Sequence, residues 1–230
     1  MAESCLFYYI TDRKAFPGDE RTRRLRLLDK ISEAASHGVD YIQLREKDMP
    51  ARDLESLARE AMRILRDKTK PASGTRRPAT ALLINSRTDV ALAAGAAGVH
   101  LPSNDVSPEE ARAAWASKCG AGARAREISP QDPLIAVSCH SPEETFQAAA
   151  NQASFAVFAP VFEKQGAPGT RATGLEALRQ ACGASIPVLA LGGVTLQNAK
   201  SCLQAGAAGI AAIRLFQEND IGALVRGLRS

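Results

Sequence analysis

His37-Gly38-Val39-Asp40-Tyr41-Ile42 joins the end of a predicted helix to the start of a predicted strand. Glycine can take the left-handed conformation that ends a helix without a Cβ penalty, and the apolar run that follows is typical of a buried strand. Nearly the same unit occurs at Ala94-Gly95-Ala96-Ala97-Gly98-Val99 and at Ala205-Gly206-Ala207-Ala208-Gly209-Ile210. Three copies of one helix-to-strand turn predict a chain in which helices repeatedly feed parallel strands.

Eight short apolar, β-favouring runs extend this pattern over the whole chain, and helical patterns lie between most of them. The runs are Leu6 to Ile10, Tyr41 to Leu44, Ala81 to Ile84, Gly98 to Leu101, Leu134 to Val137, Phe155 to Phe158, Pro187 to Leu191 and Gly209 to Ile213. Eight alternations in 230 residues predict an α/β fold, a (β/α)8 TIM barrel, as a single domain over residues 1–230. A doubly wound open sheet is the alternative, but it favours a glycine-rich phosphate loop where Thr11-Asp12-Arg13-Lys14 follows the first strand.

Composition excludes several classes of protein. The five cysteines are odd in number and none forms a Cys-x-x-Cys pair, which argues against a disulfide framework or a zinc site. The N-terminal residues 1–4 lack the layout of a signal peptide, and no apolar run approaches the length of a membrane span. We therefore expect a soluble cytoplasmic protein without a membrane partner.

The net charge of +4 comes largely from two predicted loops, Lys68 to Arg77 and Arg124 to Arg126. Neither loop has the interleaved aromatic residues of a single-strand nucleic-acid surface, so no nucleic-acid partner is expected. Both belong to longer loops, Asp67 to Ala79 and Ser117 to Pro133, which precede strands and so should lie on the lower face of the barrel. The sequence does not decide the oligomeric state, and a homo-oligomer is one of the options.

Gln43-Leu44-Arg45-Glu46-Lys47 follows the second predicted strand and carries the first functional signal. The period of two along a strand would point Gln43, Arg45 and Lys47 to one side, with Glu46 on the other. An amide, a guanidinium and an ammonium group together suit an anionic ligand. The alternative interpretation is a frayed strand end with ordinary surface charges.

Other predicted strands also end in polar residues, where the active sites of such barrels lie. Asp105 is a candidate Mg²⁺ ligand or an ordinary helix-start residue, and His140, which shares a face with Ser138, is a candidate acid/base or a packing residue. Gly192-Gly193 and Ile213-Arg214 fit a phosphate site made of backbone N–H groups, or a tight turn without a ligand. The remaining strand-end residues are Thr11, Asp12, Asn85, Ser86, Arg87, His100, Ser103 and Asn104.

The chain resembles the thiamine phosphate synthase/TenI superfamily from about residue 8 to residue 223. The resemblance lies in motifs that occur in the same order, namely Tyr9-Ile10-Thr11-Asp12, Gln43-Leu44-Arg45-Glu46-Lys47, Gly98-Val99-His100-Leu101, Val137-Ser138-Cys139-His140, Ala190-Leu191-Gly192-Gly193 and Ala205 to Ile210. It implies a Mg²⁺-dependent coupling of hydroxymethylpyrimidine diphosphate with thiazole phosphate, which gives thiamine phosphate and diphosphate.

The resemblance also implies roles for single residues. Arg45 and Lys47 would act on the departing diphosphate, and Asp105 would be a Mg²⁺ ligand. The substrates would contact Gln43, Arg45, Lys47, Asn85, Ser138, Gly192, Gly193, Ile213 and Arg214.

Three departures from the family pattern keep other functions open. Ser86 replaces an aspartate that is a second Mg²⁺ ligand, and Asp12 or Glu46 would have to substitute for it, although alternation points Glu46 away. In the loop after strand six only Lys164 and Thr170 resemble the usual substrate-binding residues, and Arg214 replaces a serine.

The first alternative is therefore a TenI-like thiazole tautomerase. Such an enzyme is an isomerase without a metal cofactor, and it would use His140 as its acid/base. A non-catalytic barrel that binds a phosphate ligand is the second.

Overall fold

The computed structural model describes residues 5–68, 79–120, 132–163 and 171–229, with side chains omitted at 118–120. Eight parallel strands form a closed barrel in chain order, and the last strand pairs with the first. Their bounds are β1 Leu6–Ile10, β2 Tyr41–Leu44, β3 Ala81–Asn85, β4 Gly98–Leu101, β5 Leu134–Cys139, β6 Phe155–Phe158, β7 Val188–Ala190 and β8 Gly209–Ala212. The predicted (β/α)8 barrel is thus confirmed.

Helices connect the strands in the described ranges. They are α1 Glu20–Ser36, α2 Ala51–Lys68, α3 Thr88–Ala94, α4 Pro108–Gly120, α5 Pro142–Ala150, α6 Gly174–Ala181, α7 Ala199–Gln204, α8 Arg214–Gln217 and α9 Ile221–Arg229, with a 3-10 turn at Arg13–Ala15. The helix starts predicted at Ser107 and Ser141 are confirmed, since each side chain accepts a hydrogen bond from the N–H three residues later.

The predicted strand bounds are right to within two residues. The largest difference is at β5, which continues to Cys139 and therefore includes Ser138. Helices α2 and α4 also run into the two long loops that the sequence predicts, because no helix-ending glycine or proline interrupts them before Lys68 and Gly120. The rest of those loops, 69–78 and 121–131, lies outside the described residues.

The repeated helix-to-strand turn has the predicted conformation in all three copies. Gly38, Gly95 and Gly206 have φ angles of 80°, 67° and 103°, in the left-handed region that glycine adopts without strain. Each of these turns returns the chain to the lower end of the barrel, where the strands begin. All eight strands are parallel and run from this lower face to the upper face. All strand C-termini consequently meet at the upper face.

The barrel interior is filled below that face. Tyr8 makes edge-to-face contacts with Tyr41 and Phe155, whose rings stack on each other with centroids 4.7 Å apart. A second and larger apolar core lies between the strands and the surrounding helices, and includes Leu27, Leu57 and Phe216. The packed interior leaves the upper face as the place for a site.

The two ends of the described chain are joined across the barrel seam. Gln217 accepts a hydrogen bond from the Tyr9 hydroxyl and donates one to the Asp12 carbonyl. Arg229 donates to Asp40 and lies over the Phe7 ring, 5.0 Å from its centroid. None of the helices in the described ranges is long and apolar enough to cross a membrane.

Candidate active site

The segment after β2 places two cations at the upper face. Gln43 is 1% exposed inside the barrel, Arg45 is half-buried and Lys47 is exposed. Among the residues that the structure describes, no carboxylate lies within ion-pair distance of Arg45 or Lys47. A half-buried guanidinium without a protein counter-ion is suited to an anionic ligand.

The alternate side chains of the same segment form a buried cluster on the opposite side. Arg13 is 5% exposed and makes two 2.7 Å hydrogen bonds to Asp48, one of 3.1 Å to Glu46 and one of 2.6 Å to Glu20. Burial raises the pKa of the Glu46 carboxyl, and the hydrogen bonds from Thr11 and Arg13 oppose that rise. Hydrogen bonding to Arg13 holds the pKa of Asp48 well below its ordinary value.

This cluster holds the backbone that carries Arg45. The Thr11 hydroxyl donates to Glu46 at 2.7 Å and accepts from the Arg45 N–H at 3.0 Å. The prediction that Glu46 points away from Arg45 and Lys47 is supported, because its carboxylate is already taken by Thr11 and Arg13. Asp12, the other candidate replacement ligand, accepts a hydrogen bond from the Lys14 N–H.

A chain of buried hydrogen bonds crosses the barrel below Arg45. The Gln43 amide donates to the Tyr8 hydroxyl at 3.1 Å, and Tyr8 contacts His100 Nδ1, also at 3.1 Å. His100 Nε2 lies 2.8 Å from the hydroxyl of Ser138. Burial, assisted by the nearby positive charge of Arg45, lowers the pKa of His100 to about 3, so the ring is neutral at physiological pH.

Asn85 and Ser86 stand at the end of β3. The Asn85 amide donates to the Ser86 hydroxyl at 3.1 Å, and the Ser86 N–H donates to the His100 carbonyl. Ser86 has a φ of 60°, which serine adopts less readily than aspartate or asparagine. Such strained positions are enriched at functional sites.

Asp105 lies in the loop between β4 and α4. Its carboxylate is half-buried and accepts a hydrogen bond from the following N–H, that of Val106. No salt bridge to Asp105 occurs within the described ranges. Those ranges contain no group of three His, Cys, Asp or Glu residues that could hold a metal by themselves.

His140 follows β5 directly and is exposed. Its Nδ1–H donates to the Ala159 carbonyl at 2.6 Å, so the acceptor nitrogen of the neutral ring is Nε2. The Ser138 hydroxyl contacts His100, while the His140 ring contacts the Ala159 carbonyl, so the two side chains predicted to share a face have different partners. The reason is that β5 ends at Cys139, and strand alternation no longer governs the residue after it.

The turns after β7 and β8 are tight. Gly192 and Gly193 have φ angles of 95° and 65°, and a Cβ at Gly193 would lie 2.5 Å from the Glu163 carbonyl oxygen. Close approach of the chain that follows β6 therefore requires these glycines, whether or not a phosphate binds there. Ile213 precedes α8, and Arg214 is exposed. Lys164 and Thr170 lie outside the described residues.

Two elements of this face were not among the functional residues predicted from the sequence, namely Tyr8 and the cluster around Arg13. Period two along β1 places Tyr8 on the inner face with Ile10, which is a signal for the first. The second requires knowing that β1 and β2 are neighbours, with Ile10 beside Gln43.

Fold and site together define a (β/α)8 barrel whose upper face presents two cations, Arg45 and Lys47, that have no carboxylate partner in the described part of the chain, beside buried polar side chains. The model of the thiamine monophosphate synthase family matches residues 7–216. The chain therefore belongs to that family, and is a transferase-type enzyme of thiamine biosynthesis.

Individual relatives agree with this membership. The chain is 41% identical to the putative thiamine-phosphate synthase of Geobacter sulfurreducens, over 90% of this chain and 84% of the relative. It is 35% identical to the thiamine-phosphate synthase of Methanoculleus marisnigri, over 96% and 92%. Among solved structures, it resembles a thiamine phosphate pyrophosphorylase from Pyrococcus furiosus, with a TM-score of 0.74, 27% identity and coverage of 99% and 95%.

Proposed function

We propose that this protein couples hydroxymethylpyrimidine diphosphate with thiazole phosphate and releases thiamine phosphate and diphosphate. The observation that carries the proposal is the pair of cations after β2, Arg45 and Lys47, neither of which has a carboxylate partner in the described part of the chain. Membership of the thiamine monophosphate synthase family supports this reaction.

The reaction breaks the bond between the pyrimidine methylene carbon and a diphosphate oxygen, which keeps the electron pair. The thiazole nitrogen then donates its lone pair to that carbon. Negative charge therefore grows on the diphosphate, where the guanidinium of Arg45 and the ammonium of Lys47 stabilise it. By resemblance to the family, the Ser138 hydroxyl and the Asn85 amide would donate further hydrogen bonds to the diphosphate.

Mg²⁺ fits the residues present if the substrate completes its coordination. Mg²⁺ binds through one or two carboxylates and otherwise keeps water and phosphate oxygens. Asp105 would supply the carboxylate, since no cation within the described ranges pairs with it, while the Ser86 hydroxyl is neutral and already accepts a hydrogen bond from Asn85. When bound, the ion would neutralise charge on the diphosphate.

The second substrate would be held on the other side of the upper face. We propose that backbone N–H groups at Gly192, Gly193 and Ile213, with the exposed Arg214, bind the thiazole phosphate. Lys164 is included in this proposed phosphate site by resemblance only.

We also propose a cytoplasmic location. The free thiols of Cys5, Cys139, Cys182 and Cys202 support a reducing compartment.

The test is a coupling assay with both substrates and Mg²⁺, in which thiamine phosphate is detected as fluorescent thiochrome. Asp105→Asn should raise the Mg²⁺ concentration for half-maximal rate by at least about 10-fold, since even indirect metal contacts are worth about 10–100-fold in affinity. Ser86→Asp is the reciprocal variant, which adds a carboxylate and should lower that concentration. An unchanged Mg²⁺ requirement in Asp105→Asn would remove Asp105 from the proposal.

His140→Ala separates coupling from tautomerisation. The relatives quoted above are named as synthases, so the tautomerase alternative is not favoured. For the coupling reaction we expect a rate within about twofold of wild type, because neither departure of the diphosphate nor attack by the thiazole nitrogen requires a proton transfer that His140 would perform. Aromatisation of thiazole carboxylate phosphate that vanishes in His140→Ala, from protein that forms no thiamine phosphate, would establish the tautomerase instead.

A further inference from the structure

We infer that Gln43, Tyr8 and His100 form a hydrogen-bond relay of fixed direction that leaves the Ser138 hydroxyl as a donor toward an anionic ligand. Tyr8 and His100 would then be positioning residues that act through Ser138. This inference deepens the proposed function. It rests on that function only for the identity of the ligand at Ser138, which is a diphosphate.

The direction of the relay starts at Gln43. Its amide nitrogen has protons only to donate, so the Tyr8 oxygen accepts at that 3.1 Å contact. Burial raises the pKa of Tyr8 far above its ordinary value, so the phenol keeps its proton. The other polar contact of that hydroxyl in the described structure is His100 Nδ1, so the Tyr8 proton points to this nitrogen.

The imidazole ring of His100 continues the chain of hydrogen bonds in the same donor-to-acceptor direction. Because His100 is neutral, it has one N–H, and Nδ1 is occupied as an acceptor. The proton therefore resides on Nε2, which donates to the Ser138 oxygen 2.8 Å away. The Ser138 proton is left to point elsewhere, and a diphosphate oxygen is an acceptor that can take it.

The charged and polar groups around His100 support a neutral ring. Arg45 after β2 acts on it electrostatically, Tyr8 on β1 and Ser138 on β5 contact it, and Asn85 on β3 is its register neighbour. None of these is a carboxylate that would stabilise an imidazolium. His100 is also only 3% exposed, which excludes water as a competing partner for most of its surface.

A reversed relay is the physical alternative. If the Gln43 amide were turned, its oxygen would accept from Tyr8, Nδ1 would carry the proton, and Nε2 would accept from Ser138. Ser138 would then offer only lone pairs to a diphosphate, which is unfavourable next to an anion. The two directions differ in one observable, the nitrogen of His100 that carries the proton.

Nitrogen-15 NMR on histidine-labelled protein measures that observable directly. The chain has three histidines, so His100 is the imidazole whose signals vanish in His100→Gln. We expect a one-bond N–H coupling at Nε2 and none at Nδ1, unchanged from about pH 8 to about pH 5 because the ring stays neutral. A proton on Nδ1 would overturn the relay whatever the enzyme catalyses.

Tyr8→Phe tests what the relay does, with Tyr41→Phe as the matched control. Tyr41 lies in the same interior cluster and contacts Tyr8 edge-to-face, so it reports any general effect of losing a hydroxyl. We expect kcat/KM for thiamine phosphate formation to fall about 3- to 10-fold in Tyr8→Phe, the value of one hydrogen bond, and not in Tyr41→Phe. Equal rates in both variants would overturn the positioning role.

Inorganic diphosphate separates this inference from the proposed function. In wild type, added diphosphate should shift the His100 Nε2 signal, and in Ser138→Ala it should not. If the protein forms no thiamine phosphate but shows both the Nε2 proton and this shift, the coupling proposal fails and the relay stands. If coupling occurs and diphosphate leaves the Nε2 signal unmoved, the relay is wrong and the function stands.

Discussion

Arg45→Ala is expected to lower kcat/KM for thiamine phosphate formation by about 10²–10³-fold, the typical cost of removing one preorganised donor from a developing anion. The side chain is half-buried and has no carboxylate partner in the described structure, so its charge is available to the substrate. Its backbone N–H is held by Thr11, which limits the reorganisation needed to place the guanidinium. The free energy of unfolding should change little, because no ion pair is lost.

Two variants complete this experiment. Arg45→Lys keeps the charge but loses the fork of donors, so we expect an intermediate rate. Arg59→Ala removes an exposed arginine that pairs with Glu55 on α2, and it should leave the rate at the wild-type value. Wild-type turnover in Arg45→Ala, or an equal loss in Arg59→Ala, would show that Arg45 does not act on the diphosphate.

Arg13→Ala should destabilise the protein by roughly 3–5 kcal/mol, the cost of leaving a buried charge without its partner. Glu46 is only 4% exposed, so removal of Arg13 would leave its carboxylate in a largely buried position without its cation. Asp48 and Glu20 are more exposed and add little. Urea unfolding measures the effect, and Arg24→Ala, which breaks the surface pair with Glu60, is the control expected to cost under about 1 kcal/mol.

The pH dependence of the lost unfolding free energy in Arg13→Ala should identify the Glu46 carboxylate as the cause of the loss. Burial already raises the pKa of Glu46, and without Arg13 it rises further, so the folded variant binds a proton more strongly than the unfolded chain. Stability of the variant should therefore increase as the pH falls from about 8 to about 5. Asp48 stays ionised in this window and does not contribute. Arg13→Ala with Glu46→Gln should be more stable than Arg13→Ala alone; a deficit that persists in the double variant and at every pH would contradict this account.

Local sequence pattern was enough to predict the architecture. The glycine-ended turns at Gly38, Gly95 and Gly206 repeat a local conformation, and local conformation is what sequence patterns report. Period two likewise separates Arg45 from Glu46 correctly. These predictions need no knowledge of which strands are neighbours.

The remaining features depend on contacts between distant residues. Ser138 contacts His100 and not His140, because the two strands β4 and β5 lie side by side while His140 has left the strand. The partner of Glu46 is Arg13, 33 residues earlier. Gly193 is required by the chain after β6, which the sequence alone did not place against it.

The seam between the first and last strands sets the order in which the protein can fold. Tyr9 and Gln217 are 208 residues apart, and Phe7, Asp40 and Arg229 join the same two ends. Contacts between residues so far apart in sequence are expected to form late in folding, because the entropy cost of closing a long loop comes before the contact stabilises the chain. During synthesis, we therefore expect the edge of β1 that pairs with β8 to stay unpaired until β8 and the segment up to Arg229 have left the ribosome. An unpaired strand edge is a template for aggregation, so we expect the nascent chain to be vulnerable at β1 until β8 has been synthesised.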